Sequence, residues 1–142
     1  MKNTIRLLFF VFAMAALGAA QAQRALVPIV NYDNVPVATK PGSPPPTREQ
    51  VGKAILDAAA RLNWETAQTA DGKIVATLHV NKNKHTVAVE IAYSPASYSV
   101  KYVSSINMKY RLEENGTPVI HPAYNQWITA LMEGIGTQFR TM

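Results

Sequence analysis

Apolar residues recur at helical spacing after Thr47, and they form a single stripe: Val51, Ala54, Ile55, Ala58, Ala59 and Leu62. A spacing of three or four residues places such side chains on one face of a helix. Thr47 and Gln50 are spaced as in a capping box, in which each side chain satisfies a free backbone N–H of the first turn. The pattern therefore predicts an amphipathic helix over residues 47–62.

Alternation of apolar and polar residues predicts four strands after this helix, at about 63–69, 73–81, 84–93 and 98–105. The last strand has an alternative extension through Tyr110 after a bulge. A three-residue loop at 70–72 pairs Trp64 with Leu78, and a loop at 82–83 pairs Leu78 with Val87. Both registers place the same apolar residues on one buried face, so they predict an antiparallel meander.

A second apolar stripe lies near the C-terminus and consists of Tyr124, Trp127, Ile128, Leu131, Ile135 and Phe139. It predicts a second helix, with Pro122 in its first turn. A sheet with one apolar face needs a covering layer. The predicted fold is therefore α+β: a helix, a four-stranded antiparallel meander and a helix, with both helices packed on one sheet face. Trp127 is expected against the sheet near Leu78, Val89 or Val100.

The first 22 residues have the pattern of a secretory signal peptide. Lys2 and Arg6 precede the uncharged apolar run 7–17, and Ala20 and Ala22 stand where a signal peptidase requires small residues. The run is shorter than the roughly 20 apolar residues that span a bilayer. We therefore expect cleavage near Ala22, a periplasmic location and no transmembrane anchor after cleavage.

Residues 23–46 are rich in proline and are expected to form an N-terminal arm or linker, because Pro excludes a continuous helix. The segment also contains apolar residues such as Ile29 and Val35, so docking on the folded unit and a free tether are both compatible with it. The predicted organisation is a signal peptide at 1–22, this arm at 23–46 and a single α+β domain at 47–142.

Composition narrows the classes of function. The chain has no Cys, which excludes disulfides, thiolate metal sites and Cys nucleophiles, and its 48% hydrophobic content suffices for one core. Without Lys2 and Arg6 the formal charge of +5 becomes +3, and the remaining Lys and Arg residues are scattered. Nucleic-acid binders usually carry a basic stripe, so no nucleic-acid partner is expected. The oligomeric state stays open.

The sequence contains no familiar catalytic, cofactor-binding or metal-binding motif. The three His residues lack metal-ligand spacing. One weak polar cluster, His79, Glu90 and Lys101, falls on the outer face of the predicted sheet, where ordinary cross-strand pairing is the alternative. Trp64 and Trp127 would suit carbohydrate stacking, although core packing also explains them.

Several ordered segments resemble a family of small, uncharacterised proteobacterial envelope proteins, many of them predicted lipoproteins. The similarity rests on segments 74–78, 84–94, 98–102, 104–107 and 120–128. This chain departs from the lipoprotein members because it lacks the anchoring Cys. The resemblance implies an envelope location and a common fold, and it implies no activity and no site residue.

These observations predict a non-enzymatic binding module of the cell envelope. Its expected partner is another envelope protein, bound through an exposed strand edge. The alternative is a small-ligand or glycan-binding domain. A hydrolase with His79 as its acid–base group is a weaker third interpretation.

Overall fold

The computed structural model describes residues 24–142, which form two α-helices and eight β-strands. The strands are β1 Val27–Pro28, β2 Tyr32–Pro36, β3 Trp64–Gln68, β4 Ile74–Val80, β5 His85–Tyr93, β6 Ser97–Ile106, β7 Arg111–Leu112 and β8 Pro118–Ile120. The helices are α1 Arg48–Arg61 and α2 Ala123–Phe139. The predicted signal peptide lies outside the described residues.

Helix α1 begins as its sequence predicts. The Thr47 hydroxyl accepts a hydrogen bond from the Gln50 N–H at 3.2 Å, and the Gln50 side chain accepts one from the Thr47 N–H at 2.8 Å. These two bonds form the capping box and satisfy N–H groups that have no partner inside the helix. The apolar stripe from Val51 to Ala59 is buried, whereas Leu62 is 36% exposed.

The two predicted hairpin registers are confirmed. Trp64 pairs with Leu78 across β3 and β4, and Leu78 pairs with Val87 across β4 and β5. Gly72 closes the first turn with φ of 80°, a value that glycine adopts without steric cost. Strict alternation on both sides of each turn leaves only one register that buries the apolar side chains.

The predicted four-stranded meander fold is wrong. The main sheet has five strands in the order β2-β6-β5-β4-β3, and a second sheet has the order β1-β8-β7. The fifth strand comes from the Pro-rich arm, which docks on the domain: Tyr32 pairs with Val100 and Val35 with Tyr98. An unpaired β6 edge would expose a row of N–H and C=O groups, and β2 pairs with the part of this edge at Ser97–Val100. Pro28 and Pro36 are tolerated because β1 and β2 are edge strands.

The extension of the fourth strand through Tyr110 is also wrong. Strand β6 ends at Ile106, and Asn107 and Lys109 adopt left-handed backbone with φ of 60° and 55°. Between them Met108 turns into the core and is 3% exposed. The chain then enters the β7–β8 hairpin, to which β1 adds a third strand through the pairing of Val27 with Ile120.

Both helices and the inward face of the five-stranded sheet share one hydrophobic core. The largest fully buried side chains include Tyr124, Phe139 and Ile55, and no buried polar side chain occurs within residues 24–142. Gly134 lets α2 approach α1 closely, because a Cβ atom there would lie 3.0 Å from a Leu62 methyl group. Neither α1 nor α2 is long and apolar enough to cross a membrane.

Candidate functional site

The three residues predicted as a polar cluster lie on the outer sheet face in separate pairs. His79 Nδ1 lies 2.9 Å from the Thr86 hydroxyl, and its Nε2 lies 3.7 Å from Glu65. Glu90 forms a 3.0 Å ion pair with Lys73, and Lys101 forms one with Asp33 at 3.0 Å. Although Glu90 and Lys101 are register neighbours, Glu90 binds Lys73 in the turn before β4, and Lys101 binds Asp33 in β2. The structure therefore divides this cluster into ordinary cross-strand pairs.

Electrostatics on this face are those of a solvated network. The hydrogen bond to Glu90, followed by that to Asp71, raises the pKa of Lys73. The hydrogen bond from Thr69, followed by that from Lys73, lowers the pKa of Asp71. Lys73 therefore lies between two carboxylates, those of Asp71 and Glu90, and Lys101 is paired with Asp33.

A different group of residues lines a cleft at one end of the molecule, which we call the Trp127 cleft. Its volume is about 410 Å³, and its lining consists of Asn81, Lys84, His85, Asn107, Met108, Lys109, His121, Ala123 and Trp127. These residues come from the β4–β5 turn, the bend after β6 and the start of α2. Trp127 is partly buried and packs against the hydrophobic core, which includes Val89 and Val100.

Left-handed backbone concentrates around the Trp127 cleft. Seven non-glycine residues of the described chain have positive φ, and five belong to the two loops that form its walls: Asn81, Lys82, Asn83, Asn107 and Lys109. Such conformations are costly for residues other than Gly, and Asn tolerates them best. Strained backbone of this kind is frequent at functional sites.

Hydrogen bonds connect these two loops and determine which ring nitrogen of His85 and of His121 carries the proton. The Asn107 amide donates to the Lys84 carbonyl at 3.2 Å, and His85 Nδ1 lies 2.9 Å from the Asn107 carbonyl. A carbonyl only accepts, so His85 carries a proton on Nδ1. His121 Nδ1 instead accepts from the Ala123 N–H at 3.1 Å, so in the neutral ring its proton is on Nε2. In the neutral rings, Nε2 of His85 is therefore an acceptor and Nε2 of His121 is a donor.

The Trp127 cleft is cationic and its charges are unpaired. Lys84 and Lys109 are exposed, and within residues 24–142 neither forms an ion pair with a carboxylate. The lining contains no Asp or Glu. Among the described residues, no group of three or more His, Asp or Glu is placed to hold a metal ion. The arrangement can attract and hold an anion beside a flat aromatic ring.

The sequence interpretation missed the residues that make this cleft distinctive. It considered the two imidazoles and Trp127 separately, and it attached no role to Lys84, Asn107 or Lys109. The available signal is the recurrence of Asn and Lys at 81–84 and at 107–109, directly after strands. Asn at a strand end favours a left-handed turn, but nothing in the linear order shows that the two turns meet.

No protein-family model, curated protein or solved structure matches this chain. The resemblance to small proteobacterial envelope proteins therefore stays a prediction. The candidate site rests on the geometry of the described residues alone.

Proposed function

We propose that this chain is an exported, non-enzymatic binding module of the cell envelope, which acts in the periplasm after removal of residues 1–22. It binds another envelope component through the Trp127 cleft. The observation that carries this proposal is the meeting of unpaired Lys84 and Lys109 with the partly buried Trp127 in one cleft. Ligand sites are concave, largely apolar surfaces with a few convergent polar groups.

The chemistry of the cleft favours binding over catalysis. Its lining contains imidazole, ammonium, amide, thioether and indole groups, and it contains no carboxylate, hydroxyl or thiol side chain. A hydrolytic site generally combines a nucleophile or an activated water with a positioned acid–base partner. His79, the acid–base group of the hydrolase interpretation, is held between Thr86 and Glu65 outside the cleft.

A protein partner remains the second candidate, and one observation favours it. Val103 is 50% and Ile106 is 63% exposed, and both lie in the last part of β6. Strand addition at the β6 edge is closed along Ser97–Val100, where β2 pairs with it, and this pairing does not extend to Val103 or Ile106. A protein could therefore contact the Val103 and Ile106 side chains, pair with β6 beyond Val100, or pair with an outer edge of the sheet.

Capture from envelope extracts distinguishes these candidates. The full chain would be expressed with a tag, purified and crosslinked in the extract, alongside two double variants. Lys84→Glu with Lys109→Glu reverses the charge of the cleft. Lys40→Glu with Arg140→Glu makes the same change near the other end of α2, because Ser43 bonds both the Lys40 and the Met142 carbonyls; this end is about 25 Å away for a helix of 17 residues.

We expect one specific component to be retained by the wild type and by the Lys40/Arg140 variant, and lost by the Lys84/Lys109 variant. Retention by all three proteins would exclude the cleft as the binding site. Turnover of an envelope substrate by the purified protein would contradict a non-enzymatic role. Mass spectrometry of the purified product tests the location separately, because an intact Met1 in a membrane fraction would contradict export with cleavage near Ala22.

A further inference from the structure

We propose that the Trp127 cleft binds an acidic saccharide, with the sugar ring on Trp127 and its carboxylate or phosphate group near Lys84 and Lys109. This inference rests on the proposed binding role of the cleft and specifies the chemistry of the ligand. Three properties of the lining lead to it: charge, shape and hydrogen-bonding capacity.

The charge of the cleft selects an anion. Lys84 and Lys109 come from two different loops, and the hydrogen bond from Asn107 to the Lys84 carbonyl ties these loops together. Two ammonium groups held around one concave surface without a carboxylate raise the local concentration of anions. By contrast, the Lys73 and Lys101 ammonium groups on the outer face are already neutralised by acidic neighbours.

The positive region continues beyond the cleft. A neighbouring cavity of about 370 Å³ shares Lys109 and adds Arg24 and Arg111 to its lining. Arg111 is paired with Glu113 at 3.1 Å, whereas Arg24 forms no ion pair with a described residue. A ligand with more than one acidic unit can therefore extend from Trp127 past Lys109 towards Arg24.

The shape and polar groups of the cleft fit a sugar better than a simple anion. Trp127 supplies apolar surface, and an indole combines a flat apolar face with one N–H donor. Asn81 and the two imidazoles add donors and acceptors around this surface, which suits the hydroxyl groups of a sugar. A volume of about 410 Å³ lies towards the lower end of the range of small-molecule sites.

Two-dimensional ¹H–¹⁵N NMR of the indole groups tests the inference on the protein expressed from the full chain. The protein has two Trp residues, and Trp64 is 5% exposed in the core, so its signal serves as an internal control. Trp127→Phe assigns the second signal. The probes are glucuronate, glucose 6-phosphate, glucose and inorganic phosphate. They test, in turn, a sugar with a carboxylate, a sugar with a phosphate, a neutral sugar and an anion without a sugar ring.

We expect glucuronate or glucose 6-phosphate to shift the Trp127 signal saturably, with a Kd at least about tenfold below that of glucose. The Lys84→Glu/Lys109→Glu variant should weaken this binding by about tenfold or more, and Lys40→Glu/Arg140→Glu by less than about twofold. A response to one acidic sugar and not to the other identifies which acidic group the cleft prefers.

Each contrary result overturns a stated part of the inference. Equal binding of glucose contradicts the role of charge, and binding of inorganic phosphate as tightly as glucose 6-phosphate contradicts the role of the ring. If no sugar shifts the signal while the Lys84/Lys109 variant still loses its captured component, the ligand class is wrong and the binding function stands. If no sugar shifts the signal and the Lys84/Lys109 variant also captures the same component as the wild type, both the ligand class and the binding function of the cleft are wrong.

Discussion

The outer sheet face and the Trp127 cleft both contain Lys and His side chains, and they differ in whether an acidic residue lies beside each Lys. On the outer face Lys73 pairs with Glu90, and Lys101 pairs with Asp33. In the cleft Lys84 and Lys109 have no acidic neighbour, and strained loops hold them beside a partly buried Trp. On the sheet, neighbouring positions place an acidic side chain beside each of these lysines. The loops that form the cleft contribute two lysines and no acidic residue. Unpaired charge is therefore the better guide to a binding site here.

Removing the core beneath the cleft should have the largest effect on stability. Ile128 follows Trp127 in α2 and is 1% exposed. Ile128→Ala removes buried methyl groups and leaves a cavity, so it should cost about 3 kcal/mol in the free energy of unfolding. Thr129→Ala, at the exposed next position, should cost less than about 0.5 kcal/mol. Urea denaturation measures both, and equal costs would contradict the assigned inward face of α2.

Alkaline pH should destabilise the domain through tyrosines on its buried side and not through groups on the outer face. Burial raises the pKa of Tyr98 and of Tyr124. A phenol with a raised pKa in the folded state contributes its full stability below the ordinary pKa of about 10, and this stability falls as the pH rises further. Tyr124→Phe cannot ionise, so its unfolding by circular dichroism between pH 9 and 12 should depend less on pH.

The control for this titration is Tyr110→Phe, because Tyr110 is 44% exposed. It should retain the pH dependence of the wild type. A variant at Tyr124 that unfolds with the same pH profile as the wild type would show that the burial of this phenol does not govern the alkaline transition.

A change in the loop between cleft and sheet should have an intermediate effect and should separate the two regions. Asn107 has φ of 60°, and its amide joins the two cleft loops. Ala tolerates left-handed backbone less well than Asn, so Asn107→Ala adds strain and also removes the hydrogen bond to the Lys84 carbonyl, at a cost of about 1–2 kcal/mol. Asn107→Gly removes only the bond and should cost less. Chemical denaturation ranks the two variants, and the reverse order would contradict the strained conformation.

The smallest effect is expected on the outer face. Lys101 and Asp33 are 54% and 62% exposed, and exposed ion pairs contribute little to stability. Lys101→Ala and His79→Ala should each change the free energy of unfolding by less than about 0.5 kcal/mol, and neither should alter ligand-induced shifts of Trp127. Loss of binding in either variant would move the site from the cleft to the outer face.

Local patterns predicted the parts of the fold in which each residue interacts with near neighbours in the chain. The capping box of Thr47 and Gln50 and the two hairpin registers depend on residues a few positions apart or on alternation continued through a short turn. The composition of the arm left its docking undecided, because Pro disfavours a central strand and is accepted at an edge. Only the pairing of Tyr32 and Val35 with β6 shows what this segment does.

The sequence by itself determined the helix start, the alternating strands and the apolar stripe of α2, because these follow from periods of 3.6 and 2 residues. Tertiary structure decided the fifth strand, the second sheet and the cleft. The cleft joins residues 81–85, 107–109 and 121–127, and their meeting depends on where β6 ends and where α2 begins. The order of residues along the chain does not predict this meeting, because contacts between distant loops are determined by the packing of the whole core.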